Sequence, residues 1–293
     1  MAITQSYRKK IQTLRDEYAS LKEGKESLLA LIDEAEVSES VYNSNAIENS
    51  TLTLKETEKI LLEIELSRRV SVRELFEAKN LNRVIAYKRD QVGKVSLTKD
   101  LILLFHRMLM GGINDAISGR FRRQGEYARV GTHIATPPEH VERMMEHTLF
   151  IYENDIDSYF LDKIAQFHLE FETIHPFCDG NGRIGRVIIN FHLLELGFPR
   201  IIIRNRTKRT YYQAFDEYRP HKRTRTMEVI VALGIIEALH KRIAYLRGEN
   251  IIRLSEYIAR NKLSPSAVTN AARRQTIAAF REKEVWKIGE KYQ

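Results

Sequence analysis

The sequence predicts a mostly α-helical protein carrying a short β-hairpin and a small helix-and-hairpin unit at its C-terminal end. Three observations predict it. Six prolines and 14 glycines are few for 293 residues. Apolar side chains recur at three- and four-residue spacing, and capping residues stand where those periodic stretches begin and end.

Taken in order, Ile11, Leu14, Tyr18 and Leu21 share one face of a first helix. Thr53 followed by Glu56 is a capping box opening a helix that turns Leu54, Ile60, Leu61 and Ile64 inward. Further helices are predicted over 72–89, 98–110, 138–152 and 158–174, then over 183–196, where Gly197 supplies a C-terminal cap. Later helices cover 210–219, 226–247 and 251–261. The exception is 128–136, Ala-Arg-Val-Gly-Thr-His-Ile-Ala-Thr, which reads as a hairpin turning at Gly131. Near the end, Ser264 before Pro265 is an N-cap with proline at the first helical position, and 276–281 with 285–288 alternate as a hairpin would. No Pro/Gly/Ser-rich linker is seen, and the only plausible domain boundary is near Gly248–Glu249.

Composition narrows the class. With 43% hydrophobic and 29% charged residues the chain folds and is not disordered. The single cysteine, Cys178, excludes an intramolecular disulfide and a multi-cysteine metal site, and suits a reducing compartment. Neither a secretory leader nor a bilayer-length apolar run is found, so a cytoplasmic protein with no membrane partner is expected. The net charge is +8, and its distribution is uneven: from Arg200 onward there are 21 Lys/Arg against 9 Asp/Glu. Contact with a polyanion is to be sought in that last third, where the competing reading is a solvated basic face.

The chemistry concentrates in residues 175–186, His-Pro-Phe-Cys-Asp-Gly-Asn-Gly-Arg-Ile-Gly-Arg. Pro176 stops the helix before it. Gly180 and Gly182 free the backbone to turn N–H groups inward as an anion nest, and the helix expected from Arg183 adds its positive N-terminal end. Arg183 and Arg186, three apart, reach phosphate oxygens from one face. Asp179 is a hard oxygen donor suited to Mg²⁺ shared with phosphates, and His175, titrating near neutrality, stands where a general base belongs. Gly180-x-Gly182-x-x-Gly185 also fits the dinucleotide fingerprint, but a helix and His-Pro precede it where that fingerprint needs a strand, and no Walker loop occurs. The residues describe a nucleotide-phosphate site with a base beside it.

This segment resembles the Fic family signature, His-Pro-Phe-x-Asp/Glu-Gly-Asn-Gly-Arg-x-x-Arg, at every specified position. Ser44–Leu54, Glu77-x-x-Asn80, Gly119-x-Phe121-Arg122 and Thr210-Tyr211-Tyr212 resemble further family landmarks. The resemblance implies a Fic-type helical bundle with an N-terminal region over 1–95, a core over 96–247 and a winged-helix-like unit over 248–293, an extension often seen in bacterial members. It implies transfer of AMP from ATP to a Ser, Thr or Tyr hydroxyl of a protein, with release of pyrophosphate. In that reading His175 takes the proton, Asp179 ligates Mg²⁺, and Asn181 with the backbone of Gly180 and Gly182 holds the α-phosphate. Arg183 binds the β-phosphate and Arg186 the γ-phosphate, while Phe177 anchors the loop and Cys178 has no role. The hairpin is the family's flap for the target segment, with Thr132, His133 and Ile134 at its tip, and Tyr211 and Tyr212 fall where adenine is contacted.

Ser44-Asn45-Ala46-Ile47-Glu48-Asn49 reads two ways. Asn45 with Glu48 is by itself a capping box. It also matches the family's inhibitory motif, in which Glu48 pairs with Arg186 and keeps it off the γ-phosphate. Self-modification and homo-oligomerisation are compatible with this reading. Removal of AMP, use of another nucleotide, and a nucleotide-sensing DNA-binding regulator are the alternatives. For the last, Arg273, Arg274, Lys283 and Lys287 are the candidate phosphate contacts, and docking or dimerisation competes with DNA for that unit.

Overall fold

Most of the expected helices form, and several of their ends are set by the residues that announced them. In the computed structural model, which describes residues 5–91 and 93–290, the chain begins with α1 (Gln5–Lys22), α2 (Glu26–Ala35), α3 (Val37–Ile47), α4 (Leu54–Leu61), α5 (Val72–Gln91) and α6 (Lys99–Met110). A hairpin of β1 (Arg129–Val130) and β2 (His133–Ile134) follows, and then α7 (Pro138–Asn154), α8 (Phe160–Ile174) and α9 (Asn181–Glu195). A 3₁₀ turn at Asn205–Thr207 leads into α10 (Lys208–His221) and α11 (Arg225–Leu246). The C-terminal unit comprises β3 (Asn250–Arg253), α12 (Leu254–Arg260), α13 (Pro265–Arg273), β4 (Ala279–Glu282) and β5 (Val285–Glu290).

Caps explain several boundaries. Thr53 Oγ1 accepts from the Glu56 N–H at 3.2 Å while the Glu56 carboxylate accepts from the Thr53 N–H at 2.8 Å, the reciprocal pair expected for α4. Thr98 and Ser264 cap α6 and α13 through their hydroxyls.

Four readings are corrected. Residues 251–253, expected at the start of a helix, belong to the strand β3, because Ile251 and Ile252 pair antiparallel with Gly289 and Ile288 of β5. Asn45 lies inside the last turn of α3 and Glu48 is that helix's C-cap, so the capping box does not exist. Ile64 lies beyond the end of α4 and is exposed. The helix after the motif starts at Asn181, not Arg183, which places Gly182 in its first turn.

Around α8 and α9 two apolar cores meet. One joins α1 to α8, α10 and α11 through residues such as Ile11, Tyr18, Leu161, Phe215 and Ile235. The other joins α5, α6 and α7 to α8 and α9 through Val84, Phe105, Met145, Phe171 and Phe191. Each such side chain contributes about 1.5–3 kcal/mol by leaving water. A smaller core of Ile252, Leu254, Ala272, Ala279 and Ile288 fills the C-terminal unit under the sheet β3-β5-β4. Among the described residues no helix is long and apolar enough to cross a membrane.

Candidate functional site

The loop between α8 and α9 is held from below. His175 caps α8 in the left-handed region (φ 52°), and its N–H donates to Phe171 O at 2.9 Å. Phe177 is fully buried and stacks on His106 with ring centroids 3.8 Å apart. The Gly119 N–H donates to His106 Nδ1 at 3.0 Å, so Nε2 carries the proton and donates to Asp179 O at 3.0 Å. Burial keeps that imidazole down at about 4, hence neutral and fixed in this tautomer. Arg122 ties the loop's base: its guanidinium donates to the carbonyls of His175 (2.8 Å), Ile174 (3.1 Å), Thr136 (2.6 Å) and Glu126 (2.9 Å). Neither His106 nor the task of Arg122 was read from the sequence. The Gly119-x-Phe121-Arg122 stretch was the signal for both.

The Asn181 side chain holds the loop together. Its Nδ2 donates to Phe177 O at 2.8 Å and its Oδ1 accepts from the Phe177 N–H at 2.9 Å, so both ends of the amide brace the loop. Of the two glycines expected to form the nest, Gly180 adopts a left-handed conformation (φ 82°) and precedes α9. The first amides of that helix have no acceptor within it, so an anion received here would meet a helix N-terminus. Gly182 answers a different need: a methyl group there would overlap Glu48 Oε1 and stand 3.0 Å from Arg186 Nη1. Gly185, one turn on, packs against His168 and Glu172.

Two arginines flank this helix end, both buried. Arg183 pairs with Asp179 and Glu77, each at 3.0 Å, and Arg73 pairs with the same two carboxylates. Burial pushes the Asp179 carboxyl up, but the charges of Arg183 and Arg73 outweigh it and hold it below its ordinary range. Arg186 donates through Nη2 to Glu48 Oε1 and to Ser44 O, both at 2.8 Å, and through Nε to Ser44 Oγ at 3.0 Å. The end of α3 thus closes over the start of α9.

His175 is largely buried at the mouth of this arrangement. Burial, reinforced by Arg122, lowers its imidazole to about 4, so it is neutral at pH 7, and its Nδ1 has no hydrogen-bond partner. Glu172 Oε2 lies 3.9 Å from that nitrogen. Burial, with the charge of Glu48 adding to it, raises Glu172 to about 8, so the two meet as neutral groups.

The tyrosines divide. Tyr211 is buried in the core, its hydroxyl 2.7 Å from His168 Nε2 and 3.5 Å from Arg186 Nη1; it backs the arginine and is not placed to touch adenine. Tyr212 is half-buried, with its hydroxyl 3.5 Å from Ile47 O. In the hairpin, Arg129 faces Ile134 and Val130 faces His133, with Gly131 and Thr132 at the tip. Ile134 is exposed, whereas His133 Nε2 donates to Thr173 O at 2.9 Å and ties the hairpin to α8. Cys178 is an exposed residue of the loop itself. Of the four basic residues considered for nucleic acid, Lys283 and Lys287 are in ion pairs with Glu58 and Glu282, while Arg273 and Arg274 are exposed.

Residues 96–193 match the profile of the Fic/DOC family. A protein adenylyltransferase Fic from Nematostella vectensis is 30% identical over 212 residues, covering 71% of this chain and 49% of that protein, so the chain spans about half the length of this relative. A Fic domain containing signaling protein from Bacteroides thetaiotaomicron shares the fold with a TM-score of 0.72 at 23% identity, over 82% of this chain and 98% of that one. A Fic family protein from Desulfovibrio desulfuricans superposes over 100% of this chain and 98% of its own, with a TM-score of 0.67 at 21% identity. The chain is therefore a Fic/DOC-family protein through residues 96–193, and a distant relative of the protein adenylyltransferases Fic.

Proposed function

We propose that the chain is an autoinhibited protein adenylyltransferase, moving AMP from ATP to a hydroxyl of a protein and releasing pyrophosphate. The observation that carries this reading is the position of Glu48. Its carboxylate sits against Gly182 at the positive end of α9 and holds Arg186, so an anion from the chain itself takes the place where a phosphate would be received. The chemistry offered there is that of positioning. A target oxygen attacks the α-phosphorus, the bond to the pyrophosphate oxygen breaks, and the hydroxyl proton passes to the neutral His175. The amides at the start of α9, with Arg183 and, once Glu48 leaves, Arg186, stabilise the phosphate charge. Asn181 acts by fixing the loop, and the exposed edge around Ile134 is where a target segment adds beside His175.

Magnesium fits this site in one form. Among the described residues no cluster of three potential ligands exists, so the chain builds no all-protein cage. A Mg²⁺ that keeps waters and phosphate oxygens needs only one or two carboxylates, and Asp179, a third exposed at the mouth, supplies one. Bound with the nucleotide, the ion would neutralise phosphate charge.

The regions 1–95, 96–247 and 248–293 serve as inhibitory arm, transferase core and accessory unit in this reading. Label transfer from α-³²P-ATP to protein, run with the Glu48→Gly and His175→Ala variants, tests it. Transfer that appears with the first and vanishes with the second supports the reading, and no transfer with either refutes it.

A further inference from the structure

A second cleft lies between α10–α11 and the C-terminal unit, about 700 Å³ in volume. No residue of the 175–186 loop lines it. Its walls are strongly basic: Arg206, Arg225, Arg273 and Arg281 all face it. Among the described residues, Arg206, Arg225 and Arg273 form no ion pair. Arg281 is 8% exposed and stacks on Trp286 with 3.7 Å between its guanidinium and the ring centroid. Its Nε is buried without a hydrogen-bond partner, and so is the Trp286 indole N–H. The nearest carboxylate to Arg281, Glu237, is 3.9 Å away and is already engaged by Arg204 at 2.8 Å. Burial pulls Arg281 down to about 10, and the repulsion of Arg206 and Arg204 works in the same direction against the attraction of Glu237. A cleft that gathers this much uncompensated positive charge around a buried, under-bonded guanidinium is short of an anion.

The floor specifies the rest of the ligand. Ile202, Val229, Ile230 and Leu233 line it half-buried, so an apolar body would cover them while the anionic end meets the arginines. The volume falls within roughly 300–1,000 Å³, the span of small-molecule sites. We propose that this cleft is a binding site for a small organic phosphomonoester with an apolar or aromatic body. A dianionic phosphate matches three unpaired arginines better than a single carboxylate does, and the guanidinium fork is suited to it. This inference does not depend on the transferase reading.

The test uses the full-length protein and 1-naphthyl phosphate as probe, followed by isothermal titration calorimetry in 150 mM salt, where long-range attraction is screened. One molecule should bind per chain. Arg225→Ser combined with Arg273→Ser should weaken it at least tenfold with an unchanged melting temperature, since both side chains are exposed. Arg186→Ala should leave it intact. 1-Naphthol and inorganic phosphate, each lacking half of the ligand, should bind at least tenfold more weakly. Undiminished affinity in the double variant, loss of binding in Arg186→Ala, or equal binding of 1-naphthol would each overturn the proposal. So would displacement of the probe by hexaglutamate at concentrations below the probe's own dissociation constant, which would reassign the cleft to an acidic protein segment.

Discussion

At the scale of residues, burial keeps two titratable groups of the site neutral. If His175 is the base, as proposed, burial already holds it unprotonated, so in the activated protein its contribution to the rate should persist well below pH 6.5 and fail only near pH 4. His175→Ala should lower transfer by ~10²–10⁴-fold while ATP binding, read by calorimetry, stays within a few-fold of the parent. A matching loss of ATP affinity would show that His175 binds and does not transfer protons. Glu172 carries the opposite shift. Its folded value lies near 8 against an ordinary 4.5, so the native state gives up stability as pH rises between those values, because the unfolded chain ionises first. Glu172→Gln removes that loss: the melting temperature of the variant relative to the parent should rise steadily from pH 5 to pH 8. A gap that does not change with pH would mean that Glu172 is ionised in the fold. Asp179→Ala should abolish dependence on Mg²⁺ together with most activity, whereas full activity that still requires Mg²⁺ would place the ion elsewhere.

At the scale of elements, what matters is that the last turn of α3 meets the first turn of α9. Glu48→Gly should raise transfer by on the order of tenfold to a hundredfold, because a charge-assisted pair contributes roughly 1.5–3 kcal/mol and its loss frees Arg186. Arg186→Ala should lower transfer, and the double variant should stay low. An unchanged rate in Glu48→Gly, with Arg186→Ala still impaired, would leave the phosphate site standing and remove the inhibition. The loop itself was legible because its residue types are dictated locally: proline to stop a helix, glycines where the chain turns or a carboxylate approaches, and arginines one turn apart. Elements whose identity is set from outside were not legible. Ile251, Leu254, Tyr257 and Ile258 have helical spacing, yet the first part of that stretch is claimed by β5, a partner some 35 residues away that the pattern cannot see. Asn181 and Tyr211 have plausible ligand chemistry, and only the fold shows that the Asn181 amide braces Phe177 and that the Tyr211 hydroxyl meets His168.

At the scale of the whole molecule, a buried guanidinium stands where the C-terminal unit meets α3 and α11. Arg204 pairs with Glu39 of α3, with Glu237 of α11 at 2.8 Å and with Glu284 in the β4–β5 turn at 3.3 Å. Around that point Glu39 accepts the Lys283 N–H at 3.1 Å, and Asn43 donates to Glu284 at 3.2 Å. Glu39 is 3% exposed and Arg204 is 7% exposed, so neither charge is hydrated if the other is lost. Arg204→Met should therefore cost about 3–5 kcal/mol, the penalty for leaving a buried carboxylate without its cation. Glu39→Gln should cost less, since the amide oxygen still accepts the Lys283 N–H. Glu284→Ala, removing a partly exposed partner, should cost about 1 kcal/mol or below. Urea midpoints of the three variants at constant m-value give the ranking directly. Equal losses for Arg204→Met and Glu284→Ala would mean that the guanidinium is a surface pair and not the point at which the three segments are joined. With the expected ranking, α3 is fixed in its first turn by Arg204 and at its end by Arg186, and a change in the C-terminal turn is felt by the helix that ends at Glu48.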